Sequence, residues 1–173
     1  ALVAAVTIDP DYVQGWYEVG LVHEERLEAA SARNAYQRAL EGLPTYLDAA
    51  LALGELLRRE GRFGEAGQRM IEFLLLEPYA IEALVLLGRS LADDRRHADA
   101  VIALTRVLKF VPDHQVARFH RGVSLNALGR FAEAVEEWDQ LVREAPTGPL
   151  AAAARAESRS TRDLLHILQP AGA

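Results

Sequence analysis

The stretch GRFAEAVEEWDQLVREAP, Gly129 to Pro146, decides the fold, because the chain writes it three times. GRFGEAGQRMIEFLLLEP runs from Gly61 to Pro78 and RRHADAVIALTRVLKFVP from Arg95 to Pro112, with the same length and the same outline. The three start 34 residues apart. A fixed period of this length marks a supersecondary unit that cannot bury its apolar face alone and must stack on its neighbours.

Working outward, the period extends along nearly the whole chain. Pro10, Pro44, Pro78, Pro112 and Pro146 keep it, as do Gly20, Gly54, Gly88 and Gly122 and the alanines Ala32, Ala66, Ala100 and Ala134. At ordinary proline usage, four further prolines in register have odds on the order of one in a hundred thousand. Each unit reads as two helices. In the third, Leu84, Leu87 and Leu91 form one helical stripe, RRH makes a polar turn, and Ala100, Leu104 and Val107 form a second stripe that Pro112 stops. Glycine inside a helix costs about 0.5–1 kcal/mol against alanine, so four in register predict that helix backbones approach closely there. The aligned alanines are the expected partners across that contact.

These residues resemble the tetratricopeptide repeat, a 34-residue helix–turn–helix unit. The likeness is carried by Gly54, Leu57, Gly61, Ala66 and Pro78, and by Gly122, Leu125, Gly129, Ala134, Trp138 and Pro146. In the first unit it is carried by Trp16, Val19, Gly20, Ala32, Tyr36, Ala39 and Pro44. It implies an all-α, right-handed α-solenoid with units at 13–46, 47–80, 81–114 and 115–148. His23, Leu27, Arg95, Arg118 and Arg121 depart from the pattern. The first stands where an aromatic is usual, Leu27 and Arg95 where a turn glycine is usual, and the last two where apolar residues pack.

The ends follow from the same register. Leu2, Ala5 and Pro10 fall on second-helix positions, so residues 1–12 are expected to end a unit that began before residue 1, making the chain a fragment. Residues 149–169 are expected to form a capping helix with Ala153, Ala156, Ser160, Leu164 and Ile167 on its apolar side and a possible break near Ser158–Thr161, leaving 170–173 as a tail.

Composition narrows the function. Half of the 173 residues are hydrophobic, a quarter are charged, only 7% are aromatic, and there is no cysteine, which excludes disulfides, thiolate metal sites and cysteine nucleophiles. The net charge of −6, with acids and bases interspersed, argues against a nucleic-acid surface. Arg58, Arg59 and Arg62 make the densest basic cluster, but Glu55, Glu60 and Glu65 interleave with it and no aromatic platform accompanies it. No apolar run reaches the roughly 20 residues a membrane span needs. Hydrolase, metalloprotease and nucleotide motifs are missing. His114 and His120 are poorly spaced for zinc. We therefore expect no catalytic residue, no cofactor and no metal. A soluble chain is expected, with the cytoplasm favoured over the periplasm.

What remains is binding of a protein or peptide partner, without nucleic acid or membrane insertion. Two alternatives stand beside it. One is a structural module that self-associates or packs against a neighbouring domain. The other is a substrate-selecting part of a larger enzyme. Along each first helix, positions 2, 5, 9, 12 and 13 share one face at 100° per residue, and in this family that face lines the groove. Position 5 reads Tyr17, Leu51, Val85 and Phe119, and position 9 reads Leu21, Glu55, Arg89 and Val123. Glu24, Arg58, Arg59 and Asn126 complete the candidate surface. The Lys, Asn and Arg set with which family members clamp a terminal carboxylate is absent. An apolar strip with charges of both signs suits an amphipathic helix or an extended apolar segment. The ordinary alternative is that position 5 is half-buried and that Glu24 and Glu25 simply pair with Arg58 and Arg59.

Overall fold

The computed structural model describes residues 12–168, and the expected N-terminal partial unit and the tail from 170 lie outside them. Within that range the chain is an all-α helical-repeat solenoid with no strand. Nine helices follow one another: α1 Val13–Glu25, α2 Ala29–Gly42, α3 Leu47–Arg59, α4 Phe63–Leu76, α5 Ile81–Asp93, α6 His97–Phe110, α7 Gln115–Ala127, α8 Phe131–Glu144 and α9 Ala151–Leu168. The first helices of successive pairs start at Val13, Leu47, Ile81 and Gln115, again 34 residues apart. The chain divides into two compact units, residues 1–87 and 88–173, with the division falling inside α5.

Local chemistry sets the helix ends. Each second helix stops at the residue before a proline. Leu43, Glu77, Val111 and Ala145 have φ between −123° and −141°, because a following proline disfavours helical backbone. Arg62, Arg96 and Arg130 open α4, α6 and α8 and pair with the acid three residues on, Glu65, Asp99 and Glu133. These pairs face solvent, which screens them, so they add little to stability. The acids also sit where the helix dipole favours negative charge.

The tight turns inside each pair share one backbone shape. Residues 27, 61, 95 and 129 all have positive φ: Leu27 59°, Gly61 74°, Arg95 62° and Gly129 75°. At each, the next residue's N–H reaches back five residues, as Glu28 does to the His23 carbonyl (2.9 Å) and Arg130 to that of Leu125 (2.9 Å). This is the Schellman closure that glycine favours. Leu27 and Arg95 adopt it against their Cβ, and Leu27 is 91% exposed, so its side chain gains nothing in return. Relief of roughly 1–2 kcal/mol of left-handed strain, less the entropy that glycine loses on folding, predicts that Leu27→Gly and Arg95→Gly each stabilise the chain by about 0.5–1 kcal/mol. Urea denaturation midpoints measure it, and a lower midpoint for either variant counts against the strain.

The glycines do mark close contacts, but with a different partner from the one expected. A Cβ at Gly88 would lie 2.5 Å from Leu104 Cγ, and one at Gly122 2.5 Å from Trp138 Nε1. At Gly20 it would run into the Tyr36 ring, and at Gly54 it would come within 3.2 Å of the Met70 methyl and closer still to Leu86. At Gly20, Gly88 and Gly122 the nearest partner is therefore the large residue 16 positions on, and at Gly54 it is Leu86 with Met70 next; at none of them is it the alanine. Tyr36, Met70, Leu104 and Trp138 are fully buried, and a helix needs a missing side chain opposite to admit them. Ala32, Ala66, Ala100 and Ala134 are also at 0% exposure, so they are small because they too are enclosed.

In the first unit, Tyr36, Leu53, Leu56 and Leu57 pack with Ala32 and Ala66, and a second cluster gathers Ala50, Met70, Phe73, Ala83 and Leu86. In the second unit, Leu125, Ala134, Trp138 and Leu141 close on Ala154 of α9. α9 is unbroken through Ser158–Thr161, and its buried face is Ala151, Ala154, Ser158 and Thr161. The expected apolar side, Ala153, Ala156, Ser160, Leu164 and Ile167, is the exposed one. The inward row carries hydroxyls because it meets polar groups: Ser158 donates to Asp139 (2.7 Å) and Thr161 to Asn126 (3.2 Å).

Candidate partner-binding surface

In the first unit α1 and α3 carry seven of the candidate residues. Tyr17 and Leu21 are half-buried against the cluster around Tyr36 and Leu53, and Leu51 is half-buried against the one around Met70. Tyr17 forms an edge contact with Tyr46 (ring centroids 5.4 Å apart) and a tilted one with Tyr36 (5.9 Å). Burial, and then the Asp48 carboxylate, push the Tyr17 and Tyr46 hydroxyls above the usual tyrosine range. These rings stay neutral and present an apolar face with a polar tip.

The charged residues beside them are engaged with one another. Glu24 accepts the Tyr36 hydroxyl (2.8 Å) and pairs with Arg59, tying α1 and α2 to α3. Burial, with this bond second, raises the Tyr36 pKa, and the same carboxylate raises that of Arg59. Arg58 pairs with Glu55 one turn back (2.8 Å). The ordinary reading thus holds for Glu24 with Arg59, while Arg58 is satisfied within its own helix.

Val85 and Arg89 lie one turn apart on α5. Val85 is 8% exposed and belongs to the core, so it offers no open surface. Arg89 is half-buried. In the second unit Phe119 and Val123 are half-buried against the Trp138 cluster, and Phe119 stands edge-on to the His120 ring (5.5 Å). Asn126 is bonded to Thr161 of α9, which draws it into the packing of the last helix.

Arg118 and Arg121 form the feature that sequence reasoning least foresaw. Their side chains are only 11% and 18% exposed. Arg118 donates to the Pro112 carbonyl and lies 3.3 Å from Glu144, while Arg121 donates to Thr105 (3.3 Å) and pairs with Glu137. The signal was present, two arginines at packing positions of α7, but their acids lie on α8 and only the fold brings them together.

Among the described residues no group of three or more His, Asp or Glu side chains could hold a metal ion, and no helix is long and apolar enough to cross a membrane.

The comparison with known proteins turns on the register of α1 to α8. A tetratricopeptide-repeat profile matches residues 17–70 and 80–149, more than half of the chain. The chain belongs to the tetratricopeptide repeat family. The cytochrome c-type biogenesis protein CycH of Pseudomonas aeruginosa is 28% identical over 156 residues, 86% of this chain and 36% of that protein. The human protein O-mannosyl-transferase TMTC3 is 24% identical over 150 residues, 84% of this chain and 16% of that protein. The chain therefore spans about a sixth to a third of the length of these relatives. Among solved structures, YrrB, described as a tetratricopeptide repeat protein with an unusual peptide-binding site, superposes with a TM-score of 0.76 at 18% identity, covering 98% of this chain and 86% of that one. A repeat protein from Parabacteroides merdae reaches 0.82 at 18% identity, covering 94% and 64%. At such identities the likeness concerns the fold.

Proposed function

We propose that this chain is a protein-interaction scaffold that holds a peptide or partner protein on the face of its first helices. The observation that carries the reading is the half-exposed apolar row Tyr17, Leu21 and Leu51, bordered by the Glu24–Arg59 and Glu55–Arg58 ion pairs. Such pairs are worth about 0–1 kcal/mol at a surface, so a partner can exchange them for its own charges at little cost. Phe119 and Val123 give the second unit a similar row, whereas Val85 is left out of the surface because it is buried. An amphipathic helix or an extended apolar segment fits such a strip.

The test is capture of a partner from lysate by wild-type chain, Leu51→Asp and Phe119→Asp. Folded variants that lose the partner by about tenfold or more support the surface. Undiminished capture by both moves the site elsewhere. Self-association is the competing outcome, read from a concentration-dependent size of the purified chain.

A further inference from the structure

A second groove lies on other helices. It opens between α2 and α4, has a volume of about 430 Å3, and is floored by Ala50 and Leu53 of α3. Its meaning comes from comparing it with the same place two repeats later. Counting 68 residues on, Ala50 becomes Arg118, Leu53 becomes Arg121, Gln37 becomes Thr105, Pro44 becomes Pro112 and Leu76 becomes Glu144. In the second unit these are the residues of the buried network. Both arginine side chains are largely buried there, one guanidinium reaches the Pro112 carbonyl and Glu144, and the other reaches Thr105 and Glu137. In the first unit the floor side chains are too short to do this, and the groove stays open.

Of the groups that hold Arg118, only the proline carbonyl recurs here: Leu76 stands where Glu144 does and Arg69 where Glu137 does, so the acid of this groove is a different one, Glu41. Pro44 lines the groove, and its carbonyl accepts no hydrogen bond among the described residues. Glu41 on the rim has an exposed carboxylate and no ion-pair partner among them. Glu72 is matched by Arg69 (2.9 Å), so the lining keeps a net charge of −1. Leu76 at the groove is 53% exposed, and Leu43, the neighbour of Pro44 in the chain, is 45% exposed.

We infer that the α2–α4 groove is a docking slot for an arginine side chain of a protein partner, flanked in that partner by apolar residues. The arginine's stem covers Ala50, Leu53 and Phe73 as the stem of Arg118 covers its own floor. Its guanidinium takes the Pro44 carbonyl and the Glu41 carboxylate, a charge-assisted pairing to which the planar fork is suited. The partner's apolar neighbours rest on Leu43 and Leu76. This slot is independent of the first-helix surface.

The experiment titrates the purified chain with acetyl-Ala-Leu-Arg-Leu-Ala-amide and follows amide shifts of α2 and α4 by NMR. Two control peptides replace the arginine by glutamate or by norleucine. Two variants of the chain are compared: Ala50→Arg with Leu76→Glu, which rebuilds the arginine and one of the acids of the second unit and so plugs the slot, and Glu41→Arg, an exposed change that leaves packing alone. The expected result is saturable binding of the arginine peptide, weakened about tenfold or more by the plug and by the charge reversal, with neither control matching it. Equal binding of the norleucine peptide overturns the proposal in favour of a plain apolar slot. Absence of saturable binding, or affinity unchanged in Glu41→Arg, overturns it outright.

Discussion

Trp138→Ala lowers the stability of the chain by about 3–5 kcal/mol, the range expected when a large aromatic leaves a packed core. Trp138 is fully buried between Leu125, Ala134, Leu141 and Ala154, and its indole N–H donates to the Phe119 carbonyl (3.2 Å). The helix facing it offers Gly122, where even a Cβ would come within 2.5 Å of the indole nitrogen. Once the ring is gone, no side chain at that position can move into the space, so the cavity persists and the loss falls toward the upper end of the range. Trp138→Phe keeps most of the volume and loses the hydrogen bond, and should cost about 1–2 kcal/mol. Chemical denaturation of both variants decides it. A loss below about 1 kcal/mol for the alanine variant would mean that α7 and α8 close up, contrary to the packing seen here.

The same contact shows what the sequence could and could not convey. Prolines, glycines and alanines in register made the helix pairs legible, because each acts locally: a proline ends a helix whatever surrounds it, and a recurring glycine announces close approach. Which residue approaches was not legible. Glycine and its large partner stand 16 positions apart on different helices, and their meeting depends on the angle between those helices. The turn at Leu27 and Arg95 was legible only as a departure. The structure shows that the backbone keeps the glycine shape and that these residues bear the strain.

The last helix was misread for a related reason. Sequence periodicity sought an apolar stripe and chose the row through Leu164 and Ile167, whereas the buried row is Ala151, Ala154, Ser158 and Thr161. Hydroxyls become inward residues when the surface beneath supplies acceptors, as Asp139 and Asn126 do. The candidate surface was half legible in the same way. The register placed Tyr17, Leu21 and Leu51 on one face, but it could not show that Val85 on that same face is enclosed. Nor could it show that Glu24 serves both Tyr36 and Arg59.

Glu137→Gln gives the other large effect, a loss of about 3 kcal/mol, and it comes from charge rather than volume. The Glu137 side chain is 14% exposed, pairs with Arg121, and lies 3.6 Å from Arg118 Nη1. Removing one partner of a buried ionic set costs about 3–5 kcal/mol, because the remaining charges stay desolvated without compensation. Here Glu144 still faces Arg118 (3.3 Å) and Thr105 still accepts from Arg121, so the lower end applies. The network as a whole contributes far less than its parts suggest. Arg118 and Arg121 surrender hydration to enter the core, and Glu137 Oε2 accepts no hydrogen bond there. Replacing Arg118, Arg121 and Glu137 together by leucine should therefore leave stability within about 1 kcal/mol of wild type, or raise it. At the same repeat positions of the first unit, Ala50 and Leu53 show that apolar residues are accommodated. Urea denaturation of the single and triple variants is the measurement. A triple variant as unstable as Glu137→Gln would show that the arginine stems, not the balance of charge, hold α7 and α8 together.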